Sequence, residues 1–483
     1  MTPFALLLCL SSVIPGPGWS TPVAVTEEPV DFNQRNYLTL DSMGRFHLVY
    51  EGYCPGHGGT SRIGYTMFLT DGTKVFPETM ISRDVISPYL SRTTMLSDSL
   101  FVFWREYNPV YYAIRNMGDG SGVTPATYLF TTSTLRPFIR SSPDSLGRLH
   151  VMYNAGDDIY YEVWTPAPGA GFITEYGWQQ EEARYGSVLL VDGNRVHVVM
   201  RNPHYLWYTQ YDLEGNTVVP PAQFVSGNLD PASFTLFPLL ALDAQRNLLV
   251  VEQGRWGPSY PYQFLFWKLN GATGDVMIGE KVLFTTIPGE YGPSNGRRIL
   301  VPLPGSEAFY LLWRNSRNVK HLLNMIIDSN GDVLVDWHIA YDYTDEDPQM
   351  LSAVDGVVDE VGNLYIVYKA GYLEPVYGYF PTFGWFDYSS LGLEGQVEPV
   401  PPASSLSVSM NPVRGGVQFF LEGAEATTLQ VYDLAGREVA RVFLTEGTGF
   451  WDGTGFSGVR LPFGVYTVVG EQGISKRLTL LQE

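Results

Sequence analysis

Short runs of alternating apolar and polar residues dominate the chain, and one of them recurs. Asp41-Ser-Met-Gly-Arg-Phe-His-Leu-Val-Tyr50 returns as Asp144-Ser-Leu-Gly-Arg-Leu-His-Val-Met-Tyr153. Looser copies run Asp192–Met200, Asp243–Val251 and Asp359–Tyr368, with degenerate ones at Ser97–Trp104 and Gly305–Trp313. The copies end at residues 50, 104, 153, 200, 251, 313 and 368, a period of roughly fifty residues. Each is followed by a second strand-like segment, usually aromatic, such as Ile63-Gly-Tyr65, Ile159-Tyr-Tyr161 or Leu206-Trp-Tyr208. Several then reach a tight turn, as at Asp71-Gly72, Glu214-Gly-Asn216 and Ser329-Asn-Gly331. The unit therefore reads as strand, Asp/Gly turn, strand, loop, strand, turn, strand. Period-2 patterning, with Gly and Pro where helix interiors would fall, excludes a helical repeat. Four antiparallel strands per unit predict an all-β chain whose residues 30–390 form a β-propeller of seven blades, within a range of six to eight. Residues 25–36 are expected to supply a strand that closes the last blade.

Composition fits this picture and narrows the function. With 45% hydrophobic residues in 483, the chain can bury a large core. The 50 Gly and 33 Pro are what a turn-rich ring requires. Thirty Lys+Arg against 50 Asp+Glu give a net charge of -20 with no basic block, so nucleic acid and anionic lipid are excluded as partners.

The N-terminus carries its own signal. Met1 to Ser20 holds an apolar stretch from Phe4 through Leu10 to Ile14, followed by the helix-breaking Pro15-Gly-Pro-Gly18. This is too short to span a bilayer but suits a secretory signal peptide over residues 1–20, although no Lys or Arg precedes Arg35. A small residue at the cut points to cleavage after Ser20, with Ala24 as the alternative. Cys9 would leave with the leader, so the mature chain would hold Cys54 alone, with no internal disulfide and no membrane-spanning segment.

Candidate chemistry comes from the repeat itself. The residue just past the second strand of each copy is Glu51, Arg105, Asn154, Arg201, Glu252, Arg314 or Lys369. All seven are polar after an apolar run. One reading is a row of strand ends reaching solvent. The other is a ring of four cations, two carboxylates and an amide around the central funnel, suited to a carboxylate- or hydroxyl-rich ligand that Arg can hold bidentately. The following loops add aromatics, among them Tyr107 and Trp256. Flat rings beside charges suit a sugar or a protein interface. His47, His150 and His197 share one repeat position with Phe101, Leu248, Tyr310 and Tyr365, which marks a packing slot. No His or Cys pair has metal spacing, and the acidic run Asp342–Asp347 lacks the Gly and distant Glu of a calcium loop, so no metal or cofactor is expected. His-Glu-x-x-His is absent from the sequence.

The repeat units resemble the BNR/sialidase-like propellers over about 360 residues. What that resemblance implies is a carbohydrate-related protein. The Asp-box and the sialidase catalytic set are not reproduced, so no catalytic residue is carried over. The reading leans to a binding protein, with a sialidase-like glycoside hydrolase and a non-catalytic structural surface protein as alternatives.

A Pro-rich linker over residues 391–404 leads to a last segment, 405–483. This segment shows Asn411-Pro412-Val413, Val431-Tyr-Asp-Leu-Ala-Gly-Arg-Glu-Val439, Trp451-Asp-Gly453, Leu461-Pro-Phe-Gly-Val-Tyr466 and Ser475-Lys-Arg-Leu-Thr-Leu480. Short alternating strands between Gly turns predict a small β-sandwich. These motifs resemble the C-terminal sorting domain of the type IX secretion system and the Ig-like domain of flagellar hook-capping proteins. The resemblance implies a protein secreted or held at the surface of a Gram-negative outer membrane, with the type IX machinery as partner.

Overall fold

The computed structural model describes residues 13–15, 19–26, 36–53, 61–82, 88–106, 108–131, 139–155, 158–167, 171–180, 185–202, 205–226, 238–255, 262–285, 293–304, 306–315, 321–343, 352–372, 378–386, 406–408, 416–421, 426–433, 437–445, 447–456, 458–462, 464–470 and 475–480. All regular structure among them is strand. The chain divides into two compact units, Met1–Glu398 and Pro399–Glu483.

In the first unit, strands combine four at a time in chain order. The first sheet is Asn36–Leu40, Phe46–Tyr53, Ser61–Phe68 and Lys74–Met80, each antiparallel to the next. Five more sheets follow the same plan, beginning at Pro88, Ile139, Tyr185, Leu239 and Pro293, and a seventh begins at Ser352. The first strands of successive sheets touch one another, and the first strand of the seventh sheet, Ser352–Val358, touches Asn36–Leu40 of the first. The described sheets therefore form a closed ring, the layout of a β-propeller. Apolar side chains on facing sheets meet in separate clusters, one of which joins Tyr37, Val49 and Tyr65 to Val102 and Trp104.

The repeated Asp is what makes the sharp turn between the first two strands. Asp144 Oδ1 accepts the amides of Leu146 and Arg148, both at 2.8 Å. Its Oδ2 accepts Arg148 Nε at 2.7 Å and lies 3.2 Å from His150 Nε2. Asp41 repeats every one of these bonds with Met43, Arg45 and His47. Gly44 and Gly147 complete the turns at φ 74° and 79°, a left-handed conformation that costs glycine little. In the looser copy at Asp243 the same place is taken by Arg246 at φ 63°, so the turn survives without the residue that best fits it. The histidines are fully buried and polar as well as packed. His47 Nδ1 is 2.9 Å from Tyr65 Oη, His150 Nδ1 2.6 Å from Tyr161 Oη and His197 Nδ1 2.9 Å from Tyr208 Oη. In His47 and His150, whose Nε2 faces a carboxylate, that nitrogen carries the proton and Nδ1 accepts the tyrosine hydroxyl.

The same turns tie one sheet to the next. Arg45 donates to the carbonyl oxygens of Met117 and Gly118 in the second sheet, and Arg148 of the third sheet donates to Leu213 O in the fourth. Gln210 Nε2 reaches Gly271 O of the fifth sheet at 2.6 Å. The ring closes where Leu38 N donates to Asp355 Oδ2 of the seventh sheet at 2.9 Å. At the perimeter, register shifts interrupt the pairing of the third and fourth strands in each of the first six sheets. Such bulges, with Pro125, Pro220 and Pro221 in the outer strands, deter edge-to-edge association.

One expectation needs correcting. The strand that completes the seventh sheet is Val23–Ala24, paired with Thr382 and Phe383, and it lies before the 25–36 segment expected to do so. Val23-Ala-Val25 is the apolar stretch there, whereas Glu27-Glu-Pro29 offers charges and a residue without an amide donor.

In the second unit, the strands Leu406–Val408, Val417–Leu421 and Thr448–Trp451 form one group. Glu438–Thr445, Ala426–Tyr432, Gly464–Val469 and Ser475–Leu480 form another. A single pair, Thr445 with Thr448, joins the groups, and Phe419 and Trp451 of one share a core with Leu429, Val442, Val468 and Leu478 of the other. The motifs noted in the sequence hold this core: Trp451 Nε1 donates to Thr454 O at 2.8 Å and Tyr466 Oη to Pro462 O at 2.7 Å.

The turn network makes stability pH-dependent. Burial holds the His47 imidazole below its usual 6.5, against the pull of Asp41. Burial of Asp144 would raise its carboxyl, but the bonds from His150 and Arg148 outweigh that and hold it near 2, below the ordinary 3.8. Both groups bind protons more weakly folded than unfolded, so acid favours the unfolded chain. Tm should fall as pH drops through 6.5, and again between 3.8 and about 2. His47→Phe, the residue of a sister copy, should flatten the first of these losses in a calorimetric pH series.

Candidate functional site

The backbones of all seven predicted site residues belong to second strands, one in each described sheet of the first unit. Glu51, Arg105, Asn154, Arg201, Glu252, Arg314 and Lys369 lie inside the second strand of their respective sheets, not just beyond it as the sequence suggests. The ladder runs on because the hairpins are tight: Arg201 pairs with Leu206 and Asn202 with Tyr205. The side chains of Asn154, Arg314 and Lys369, and Tyr107 and Trp256 altogether, lie outside the described residues.

Two of the predicted residues meet. Arg201 Nη1 lies 3.2 Å from Glu252 Oε1, joining equivalent positions of the fourth and fifth sheets. Arg298, from the first strand of the sixth sheet, brings Nη2 to 3.6 Å from the same oxygen. The Gln253 amide donates to that oxygen as well, at 2.8 Å. Arg201 and Glu252 are 1% and 0% exposed, and Arg298 is buried beside them. Burial presses the Arg298 guanidinium below its ordinary value, and the Glu252 carboxylate opposes this. Two guanidinium groups thus share one carboxylate away from water, across three consecutive sheets. Glu51 is equally buried, while Arg105 is half-buried.

Arg298 lies in a first strand, which the repeated motif does not include. A signal existed: Arg297-Arg298 interrupts the apolar pattern directly before Ile299-Leu-Val301.

Aromatic pairs sit one step before the polar level. Trp104 stacks on its cross-strand partner Tyr111 at 6.0 Å, and Tyr153 on Tyr160 at 5.3 Å. Trp104 Nε1 donates to Glu106 Oε1 at 3.0 Å, and Glu162 takes Tyr153 Oη at 2.7 Å and Trp164 Nε1 at 2.6 Å. Trp104 and Tyr153 of the second strands thus each meet a carboxylate.

Glu252→Ala leaves two buried guanidinium groups without their shared carboxylate, and urea unfolding should show a loss of about 3–5 kcal/mol. Lys281→Ala removes a partner of Asp332 at 2.7 Å on the surface and should cost less than about 1 kcal/mol.

No family model and no curated protein matches the chain. Solved structures do. PorZ, a bacterial surface component of the type IX secretion system of Porphyromonas gingivalis, is similar at 12% identity and a TM-score of 0.36 over 97% of this chain, which spans 60% of PorZ. A polysaccharide lyase of family PL25, an ulvan lyase, is similar at 11% identity and a TM-score of 0.45, covering 77% of this chain and 94% of the lyase. The NanB sialidase of Streptococcus pneumoniae is similar at 10% identity and a TM-score of 0.40, covering 77% of this chain and 71% of the sialidase.

Proposed function

We propose that the protein is a secreted or cell-surface seven-bladed β-propeller that binds a carbohydrate or protein ligand at the level of Glu51, Arg105, Asn154, Arg201, Glu252, Arg314 and Lys369. The observation that carries this reading is the buried Arg201–Glu252–Arg298 cluster. Desolvating three charges is expensive, and apolar residues of similar size would usually hold adjoining sheets together at least as well. Charges kept at such a cost fit a face that recognises hydroxyl or carboxylate groups. The seven strand positions, with four cations against two carboxylates, oppose in sign a chain of net charge -20.

The complete burial of Arg201 and Glu252 favours a second reading, a structural surface protein in which the cluster is a staple. A sialidase-like hydrolase would need a pair of carboxylates about 5–9.5 Å apart at the funnel. The second unit is proposed as an Ig-like sandwich that addresses the protein to the type IX machinery, after a leader has taken it through the inner membrane.

Two experiments test these readings. On an array that includes uronic and sialic acids, the intact protein should bind, and Arg105→Ala with Arg314→Ala should lose at least tenfold in affinity with Tm preserved. Binding unchanged by both substitutions refutes the site. Deleting residues 403–483 should strand the first unit in the periplasm, whereas unchanged surface delivery refutes the sorting role.

A further inference from the structure

The N-terminal segment does more than close one sheet. Val13–Pro15 pairs antiparallel with the outermost strand of the sixth sheet, Val333–Tyr343. Val23–Ala24 then pairs with Gly378–Phe386 of the seventh. Between them Trp19, 6% exposed, enters the core that the two sheets share. Its ring lies 5.1 Å from both Tyr341 and Phe386, and its backbone bridges to Phe386.

Ser20 fixes the crossing with three bonds. Its amide donates to Trp385 O at 2.8 Å, its hydroxyl oxygen accepts Trp385 N at 3.0 Å, and its carbonyl accepts Tyr341 Oη at 3.1 Å. Gly384 leaves the room for this, because a Cβ there would collide with the Tyr341 hydroxyl. Val25, fully buried, packs with Leu38 and Phe46 of the first sheet and Phe383 of the seventh. The described residues 13–15 and 19–25 therefore touch the sixth, seventh and first sheets, where the ring closes.

We infer that residues 13–25 are a permanent strap of the mature protein, and that the export leader is cut before Val13, not after Ser20 or Ala24. Cleavage precedes folding, so burial does not protect the Ser20 bond. The inference rests on what the folded seam uses. A cut after Ser20 removes the edge strand and Trp19, opens an apolar face between the sixth and seventh sheets, and takes the partners of Trp385 N and the Tyr341 hydroxyl. A cut after Ala24 removes the closing strand as well. Ser11-Ser12, directly after the apolar run Phe4–Leu10, supplies small residues for the earlier cut. The position of the cut depends on the export reading above; the strap does not.

N-terminal sequencing of the exported protein should find a start after Met1 and no later than Val13. A start at Thr21 or Val25 overturns the inference, and a start at Met1 refutes leader removal while leaving the strap in place. Independently, calorimetry of residues 13–483 and 21–483 expressed without a leader should show the shorter chain melting about 5 °C lower or more. In the longer chain Trp19→Ala should lower Tm similarly and Trp19→Phe far less. Equal melting of the two chains overturns the strap.

Discussion

The carboxylate at the start of the inner turns at Asp41, Asp144, Asp243 and Asp359 is the contact on which the ring depends. One oxygen of Asp41 or Asp144 gathers the amides that reverse the chain, and the other holds the arginine four residues on. That arginine is thereby aimed at carbonyl oxygens of the neighbouring sheet. A local reversal and a long-range contact are made by the same side chain, so turn formation and the docking of adjacent sheets are coupled. The rule extends to other turns. Asp359 binds Asn363 and Tyr365, and Asp433 in the second unit binds both the amide and the side chain of Arg437.

Where the arginine is absent, other pairs take its place. Asp243 holds Lys268 at 2.8 Å, and Arg246 reaches back to Asp192 of the fourth sheet. At the opposite ends of the strands the charges are arranged differently. There Arg201, Glu252 and Arg298 meet in the interior, with no turn to form and at a desolvation cost that turn geometry does not explain. The molecule thus carries two sets of ion pairs: one at the turns, with an evident structural purpose, and one at the opposite strand ends that spans three sheets.

The fold was legible because its signals are local. Asp-x-x-Gly-Arg followed by alternating apolar residues fixes a turn and a strand with no knowledge of distant partners, and the repeat of that motif implies the ring. The site was legible only in part. The repeat placed Arg201 and Glu252 at one level, but their burial depends on three sheets converging, and Arg298 enters from a strand whose register the motif does not report. The closing strand was misplaced for a related reason: whether Val23–Val25 or the residues after it complete the seventh sheet is decided by a partner more than 350 residues away. The histidine slot was read as a packing slot since Phe, Leu and Tyr also fill it, yet His47 and His150 each find an Asp on one nitrogen and a Tyr on the other.

The coupling of turn to ring is tested most directly by a double-mutant cycle on Asp144→Asn and Arg148→Met, read by urea unfolding of the full chain. The account predicts single losses that are not additive, with a coupling energy of about 1 kcal/mol or more. Additive losses, with coupling near zero, would show that the carboxylate forms its turn without aiming the arginine, and would contradict the account.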